Sequence, residues 1–496
     1  MVTTLAGNDG EPKDPCLEQR PGRSEIHIKT ALKYLVVIPL VLVLFSCTTS
    51  MVRAPIPRDG LTEIFVYLQP SPHQVRRIRW TTGEMGLVRS DGVRLPLTLS
   101  ISDIAGSRIE GRQILLASGV VPPGSYTGVY MTIENASVTR EDGPAALLVP
   151  KEPLDIPASF DLRPSEVFTL FLTLDGSGLV KEGFEFSPSF SLNRPVRDLT
   201  SLIGYVAIPE ADRIIVFNRK TMLITDSLAT GRNPQAIAVD GRSGLAYVAL
   251  TGEDAIQVMD ISHGTMGERI YLRNGDEPVD LALTRDGRTL LAANFASDTV
   301  SIIDPILGAE TERLQVDRGP AAVIVNEIGT RAYVPCSRSS TLSVLDLSTG
   351  TLSTSLPLDE RTPFDAALDR DEERLFVVSR DSPHLAVVDT ASLQVTDRIY
   401  VGMGSNSILV DDLSGLVLVG RKYSNEIALI DPSALMPVDS VKLEGPAGSM
   451  ALDRQENALL VSLPEKEVIQ KVDLVSKRVM AELQTDLAPS EVAVVE

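Results

Sequence analysis

Three arginines stand in the same place relative to a proline, and a fourth lies near one. Arg232 lies in Arg-Asn-Pro, Arg318 in Arg-Gly-Pro, Arg361 in Arg-Thr-Pro, and Arg273 slightly farther back in Arg-Asn-Gly-Asp-Glu-Pro. In each case the proline opens a short apolar stretch. A guanidinium offers a rigid fork of N–H donors that fits a carboxylate or phosphate bidentately. An arc of such forks around one mouth would hold a small anionic ligand or an acidic protein segment. Arg338, Arg380, Arg421 and Lys422 fall in a second set of loops and would add to the arc. The ordinary alternative is surface arginine neutralised by Glu253, Asp254, Asp280, Asp365 and Asp381.

Other chemistry is sparse. The chain has no GxSxG, HExxH, P-loop or CxxC motif. Its four histidines, His27, His73, His263 and His384, are too scattered to form a zinc or multi-histidine copper site by local spacing. No local motif supports axial haem ligands. The pair Asp411-Asp412 lacks the spacing of a calcium loop and reads as turn carboxylates. No catalytic residue, metal ligand or cofactor is assigned.

The elements that position the arginines repeat. A fifteen-residue block recurs seven times, at 204–218, 246–260, 290–304, 332–346, 375–389, 417–431 and 459–473. Its last residues are Asn218, Asp260, Asp304, Asp346, Asp389, Asp431 and Asp473, spaced 42, 44, 42, 43, 42 and 42 apart. Each block holds two apolar strands around a polar loop. A proline-led strand precedes most blocks, as at 234–240, 278–284, 320–326 and 363–369, and a fourth strand follows. A period near forty residues built from short strands predicts a β-propeller with one four-stranded sheet per period. The first block lacks a preceding proline-led strand, and PSEVAVV (489–495) supplies one at the other end of the chain. This strand is expected to close the ring, which removes an open edge. The recurring Asp is expected to accept backbone N–H bonds in the turn after it.

The Tyr-Val pairs at Tyr205-Val206, Tyr247-Val248 and Tyr333-Val334, each in an apolar run ending in Asn or Asp, resemble the YVTN-type β-propeller family over about 202–496. The Thr-Asn of the name does not follow these pairs, and only Ala293-Asn294 approaches it. The lone tryptophan, Trp80, lies outside the repeats, which disfavours WD-repeat and tryptophan-docking propellers. The resemblance implies seven blades. It leaves open an enzyme of lactonase or cofactor-dependent redox type.

Residues 35–46 form an apolar run after Lys29 and Lys33. The run is shorter than the roughly 20 residues of a membrane span and fits a secretory signal. Leu44-Phe45-Ser46-Cys47 resembles a bacterial lipobox. That resemblance implies cleavage before Cys47, diacylation of its thiol and attachment to a membrane of the cell envelope. Thr48 in place of Asp implies the outer membrane, facing periplasm or cell surface. Cys336 then remains the one free thiol of the mature chain, expected to be buried in or beside a strand.

The organisation reads as a leader and signal (1–46), a tether (47–61), a β-sandwich (62–192), a linker (193–203) and the propeller (204–496). The sandwich reading rests on alternating stretches at 62–68, 93–101, 126–133, 167–174 and 184–192, separated by turn signals. In 167–174, Phe168, Leu170, Leu172 and Leu174 share one face. The run VVPPGSYTGVYMTIENASV resembles a sandwich family of bacterial lipoproteins, domain of unknown function 4382. The fold class is therefore all-β, an antiparallel sandwich followed by a seven-bladed propeller.

Lys and Arg number 46 against 66 Asp and Glu, a net charge of −20. Such a chain is a poor partner for nucleic acid. The leading functional reading is a non-enzymatic envelope lipoprotein whose propeller binds a ligand or protein. A propeller enzyme and a surface adhesion protein are the alternatives.

Overall fold

A computed structural model describes residues 60–71, 73–193 and 199–495. Cys47, the leader and the tether up to residue 59 lie outside the described residues, as do 194–198 of the linker.

The chain is all-β. Seven four-stranded sheets follow one another among the described residues after Ile203. Blade 1 consists of Ile203–Ile208, Arg213–Asn218 and Leu223–Ala229, with Val492–Val494 as its innermost strand. Blades 2 to 7 cover 234–271, 278–315, 324–357, 363–400, 405–442 and 450–484. The innermost strand of each blade touches that of the next, and Val492–Val494 touches those of both blade 2 and blade 7. Its register is antiparallel, with Gly204 opposite Val494 and Val206 opposite Val492.

The two central strands of each blade are nearly continuous apolar runs because both faces are covered by neighbouring blades. Ile203–Ile208, Arg213–Asn218 and Ala458–Leu463 are buried at every position. The repeated Asn or Asp behaves as expected at all seven sites. Asn218 Oδ1 accepts from the N–H of Lys220 and Thr221. Asp260, Asp304, Asp346 and Asp431 each accept from two N–H groups of the following turn. Asp389 and Asp473 accept from the N–H of Ser392 and Ser476. Those two serines, chiefly through their side chains, hold both carboxyls below the usual range.

Blades 1 and 7 also meet through a buried ion pair. Arg219 Nη1 lies 3.0 Å from Asp453 Oδ1, and the two side chains are 1% and 0% exposed. Lys471 donates to the Arg219 carbonyl at 2.8 Å beside this pair.

The N-terminal domain is a two-sheet sandwich. One sheet orders the strands Ser189–Asn193, Val167–Asp175, Thr62–Leu68, Ile114–Val121 and Thr98–Leu99. The other is built on Ile78–Arg89 and the 17-residue strand Gly124–Arg140. The sandwich is not wholly antiparallel: Thr62–Leu68 and Val167–Asp175 run parallel. The expected strand at 93–101 is two pieces, Arg94–Pro96 and Thr98–Leu99, which join different sheets. Trp80, Met85, Leu87, Phe168, Leu170, Leu172 and Leu174 belong to the core between the sheets.

The first sheet is apolar on its other face too. Phe65, Tyr67, Leu115, Val167 and Phe171 pack with Val206, Ile208, Ile215 and Phe217 of blade 1 and Leu460, Ile469 and Leu483 of blade 7. The sandwich therefore lies across the junction of the first and last blades. Gln113 brackets the blade 1 edge, accepting from Ile224 N–H (2.9 Å) and donating to Ile224 C=O (3.1 Å). Within this contact Arg213 stacks on the Phe65 ring at 3.9 Å, and the Tyr67 hydroxyl donates to Asp486 at 3.1 Å. Burial pushes the Tyr67 phenol well up and the Asp486 carboxyl up to about 6, the latter opposed by Arg213.

Candidate ligand site at the propeller mouth

Two families of loops open at one end of the propeller. One joins the second and third strands of a blade; the other leads into the first strand of the next blade. They are stapled together by a recurring carboxylate. Asp212 Oδ1 accepts from Asn233 N–H, Asp254 from Gly275 and Glu277, and Asp298 from Gly319, all at 2.8 Å. Asp212, Asp254 and Asp298 take left-handed backbone conformations, with φ of 49°, 49° and 58°, where a short polar side chain is tolerated.

These loops enclose a cavity of about 540 Å³ lined by Gln235, Val279, Phe295, Ala321, Ser337, Arg338, Thr362, Phe364 and Arg380. Gln235, Val279, Ala321 and Phe364 each follow a proline at the start of a blade. The Arg338 guanidinium lies 4.1 Å from the centre of the Phe295 ring, and its Nη1 donates to the Phe295 carbonyl at 3.5 Å. The Arg380 guanidinium lies 3.2 Å from the centre of the Phe364 ring. Cation–π contact holds each side chain in place. Arg380 is open to solvent yet ringed by protein, and burial lowers its pKa against the opposing pull of Asp381 and Tyr423.

The four proline-associated arginines lie outside the lining of this cavity. Arg232 is 69% exposed, with its Nε 3.7 Å from Glu253 Oε1. Arg273, Arg318 and Arg361 are exposed. The Arg318 carbonyl accepts from Arg338 N–H at 3.1 Å. Arg421 donates to Ser424 Oγ at 3.1 Å. Of the wider set, Arg338 and Arg380 are the two brought together. Phe295 and Phe364, which seat them, carry no sequence signal because each occurs once in loops that otherwise vary.

The loops rest on the innermost strands, whose open edges carry a set of carboxylates. Glu491 accepts from Ile237 N–H at 2.9 Å, Asp280 from Val323 at 2.8 Å and Asp365 from Ile408 at 3.1 Å. Ser449 Oγ does the same for Val492 at 3.0 Å. Each bond crosses from one blade to the next. Burial pushes Asp280 up to about 6, and burial aided by Asp280 pushes Asp365 up to about 7. Burial, then Asp280 and Asp365, raise Glu491 well above its ordinary value. All three side chains are only half-buried by solvent exposure, because they lie deep in the ring yet keep some contact with solvent.

Elsewhere the reactive residue types are quiet. Cys336 is buried against Val334 and Ser343, and burial pushes its thiol up to about 11. His263 bonds to Asp260 at 2.7 Å, and His384 packs edge-on to Tyr400. Asp411 caps its own turn and Asp412 pairs with Arg454 at 2.7 Å. Among the described residues no three His, Cys, Asp or Glu side chains are grouped to hold a metal.

Residues 210–415 match the family described as YNCE-like beta-propeller. No curated protein matches the chain. Among solved structures, a functionally unknown protein from Desulfotomaculum acetoxidans DSM 771 is 14% identical with a TM-score of 0.53, covering 59% of this chain and 99% of that one. The Kuenenia stuttgartiensis hydrazine synthase is 18% identical with a TM-score of 0.47, covering 52% of this chain and 88% of that one. Dihydro-heme d1 dehydrogenase NirN in complex with DHE is 14% identical with a TM-score of 0.48, covering 60% and 76%. The family match and the first of these similarities place the repeats in a β-propeller fold.

Proposed function

We infer that this protein is a lipid-anchored, non-enzymatic binding platform of the cell envelope. Cys47 moors it, and the propeller mouth receives an anionic small molecule or an acidic segment of a partner protein. One observation carries the binding half of this reading. On a chain of net charge −20, the mouth cavity holds two guanidiniums that no carboxylate approaches within ion-pairing distance among the described residues. Its volume lies within the range of small-molecule sites. The Leu-Phe-Ser-Cys sequence at 44–47 supports the anchor.

The two halves are tested separately. Labelled fatty acid should enter the wild-type chain and be absent from Cys47→Ala; equal labelling would remove the anchor from the reading. Ala321→Trp places an indole in the mouth. Native mass spectrometry of protein released from its own membrane should show a bound species on the wild type and none on Ala321→Trp. The same bound species on both would mean that the mouth is not the binding site.

A further inference from the structure

With the mouth taken as the binding site, the premise supplied by the proposed function, its donors and walls select among anions. We propose that it takes an organic dianion with a flat apolar body, the two charged ends held by Arg338 and Arg380. Most polar groups on the lining are already engaged. Ser337 Oγ donates to the Gly319 carbonyl at 3.0 Å, Thr362 Oγ1 to Asp381 at 2.7 Å, and Gln235 Nε2 to Asn233 Oδ1 at 2.9 Å. The two guanidiniums are different. A phenylalanine ring covers one face of each; Arg338 Nη1 also makes a long 3.5 Å contact with the Phe295 carbonyl, and the remaining N–H groups of the two forks are the part left for a ligand.

Other arginines of this molecule use such N–H groups internally. Arg313 holds Asp276 at 2.6 Å and Arg398 holds Glu360 at 2.7 Å. At the mouth no carboxylate of the described residues takes this position, so an external oxyanion can, in the planar bidentate geometry a guanidinium favours. One fork comes from blade 4 and the other from blade 5, which calls for two oxyanions on one ligand. The remaining walls, Val279, Ala321 and the two rings, offer no hydrogen bonds and suit an apolar body. Asp280 and Asp365 follow directly after the wall residues Val279 and Phe364, and above about pH 7, where both are ionised, these carboxylates disfavour an anion that descends past the walls. The charged ends are thereby kept at the level of the arginines. A compact anion such as inorganic phosphate meets the charge but leaves the walls wet.

The probe is naphthalene-2,6-dicarboxylate, titrated calorimetrically into the full chain in detergent, with naphthalene-2-carboxylate, the neutral dimethyl ester and inorganic phosphate as comparators. The dicarboxylate should bind at least about 10-fold more tightly than the monocarboxylate, since a bidentate charged contact is lost with each carboxylate. Arg338→Gln and Arg380→Gln should each weaken it by at least about 10-fold, whereas Arg232→Gln changes nothing. Phosphate should not displace it. Melting curves establish that each variant is folded, and Arg380→Lys, which keeps the charge without the fork, should restore only part of the affinity. Several results overturn the proposal while leaving the mouth as the site: the monocarboxylate or ester binding equally well, phosphate competing, or the Gln variants keeping full affinity, each with binding still abolished by Ala321→Trp. Failure of the dicarboxylate to bind also overturns it. Undiminished binding to Ala321→Trp would overturn the mouth itself.

Discussion

Asp280, Asp365 and Glu491 each satisfy a backbone N–H on the next blade, and they do so at an edge that no further strand covers. The arrangement has a cost that depends on pH. The folded chain holds Asp280 and Asp365 protonated up to about 6 and about 7. The unfolded chain releases those protons near the ordinary carboxylate value of about 4. Folding therefore binds protons in this window. Stability is fully present below about pH 4 and declines as pH rises through 6 and 7. In Asp280→Asn/Asp365→Asn the amide oxygens can still accept the Val323 and Ile408 N–H bonds, and the charge is gone. The wild-type melting temperature should fall between pH 5 and pH 8 by several degrees more than that of the double variant, about 2–4 °C for each kcal/mol. Parallel curves for the two proteins would show that these carboxylates stay charged when folded.

At the scale of elements, the strand Val492–Val494 is short, yet it supplies the inner edge of blade 1 and contacts blades 2 and 7. Removing 489–495 deletes Glu491, Val492 and Val495 and leaves Ile203–Ile208 unpaired on one side. A loss of several kcal/mol is expected, which lowers the melting temperature by about 10 °C or more. An unchanged melting curve for the truncated chain would show that the ring does not need this strand. This element is legible in the sequence because the repeat leaves one inner strand missing at the start and one spare at the end. The seven turn residues, Asn218 to Asp473, are legible for the same reason, since each turn obeys a local rule. The sandwich is harder to read. Ile78–Arg89 is IRWTTGEMGLVR, whose glycines and threonines mask its alternation and hide the strand. The parallel pairing of Thr62–Leu68 with Val167–Asp175 joins segments a hundred residues apart, and no local spacing encodes it. At the mouth, Arg338 and Arg380 stand out in the sequence, but Phe295 and Phe364 gain meaning only once the blades are set side by side.

At the scale of the molecule, the sandwich and the propeller are not beads on a string. The strand TEIFVYL is buried at all seven positions because Ile64, Val66 and Leu68 face the sandwich core while Phe65 and Tyr67 face blades 1 and 7. Five large side chains of the sandwich enter this contact. At roughly 1.5–3 kcal/mol each, their burial is worth on the order of 10 kcal/mol as an upper bound, comparable to the whole stability of a typical domain. A chain beginning at residue 199 should therefore aggregate, or melt well below the full protein, with Ile215, Phe217, Leu460 and Leu483 uncovered. A monodisperse fragment with an unshifted melting temperature would show that the ring stands without its brace.

The hydrogen bond from Tyr67 to Asp486 spans 419 residues of sequence. The patch made by Phe65, Tyr67 and Phe171 is synthesised before its partners, those of blade 1 first and those of blade 7 long after. Until blade 7 is made, the newborn polypeptide carries a sticky surface that blade 1 alone covers only in part. A chain halted before Leu460 leaves part of that surface bare, and a chaperone that grips greasy patches would have something to hold.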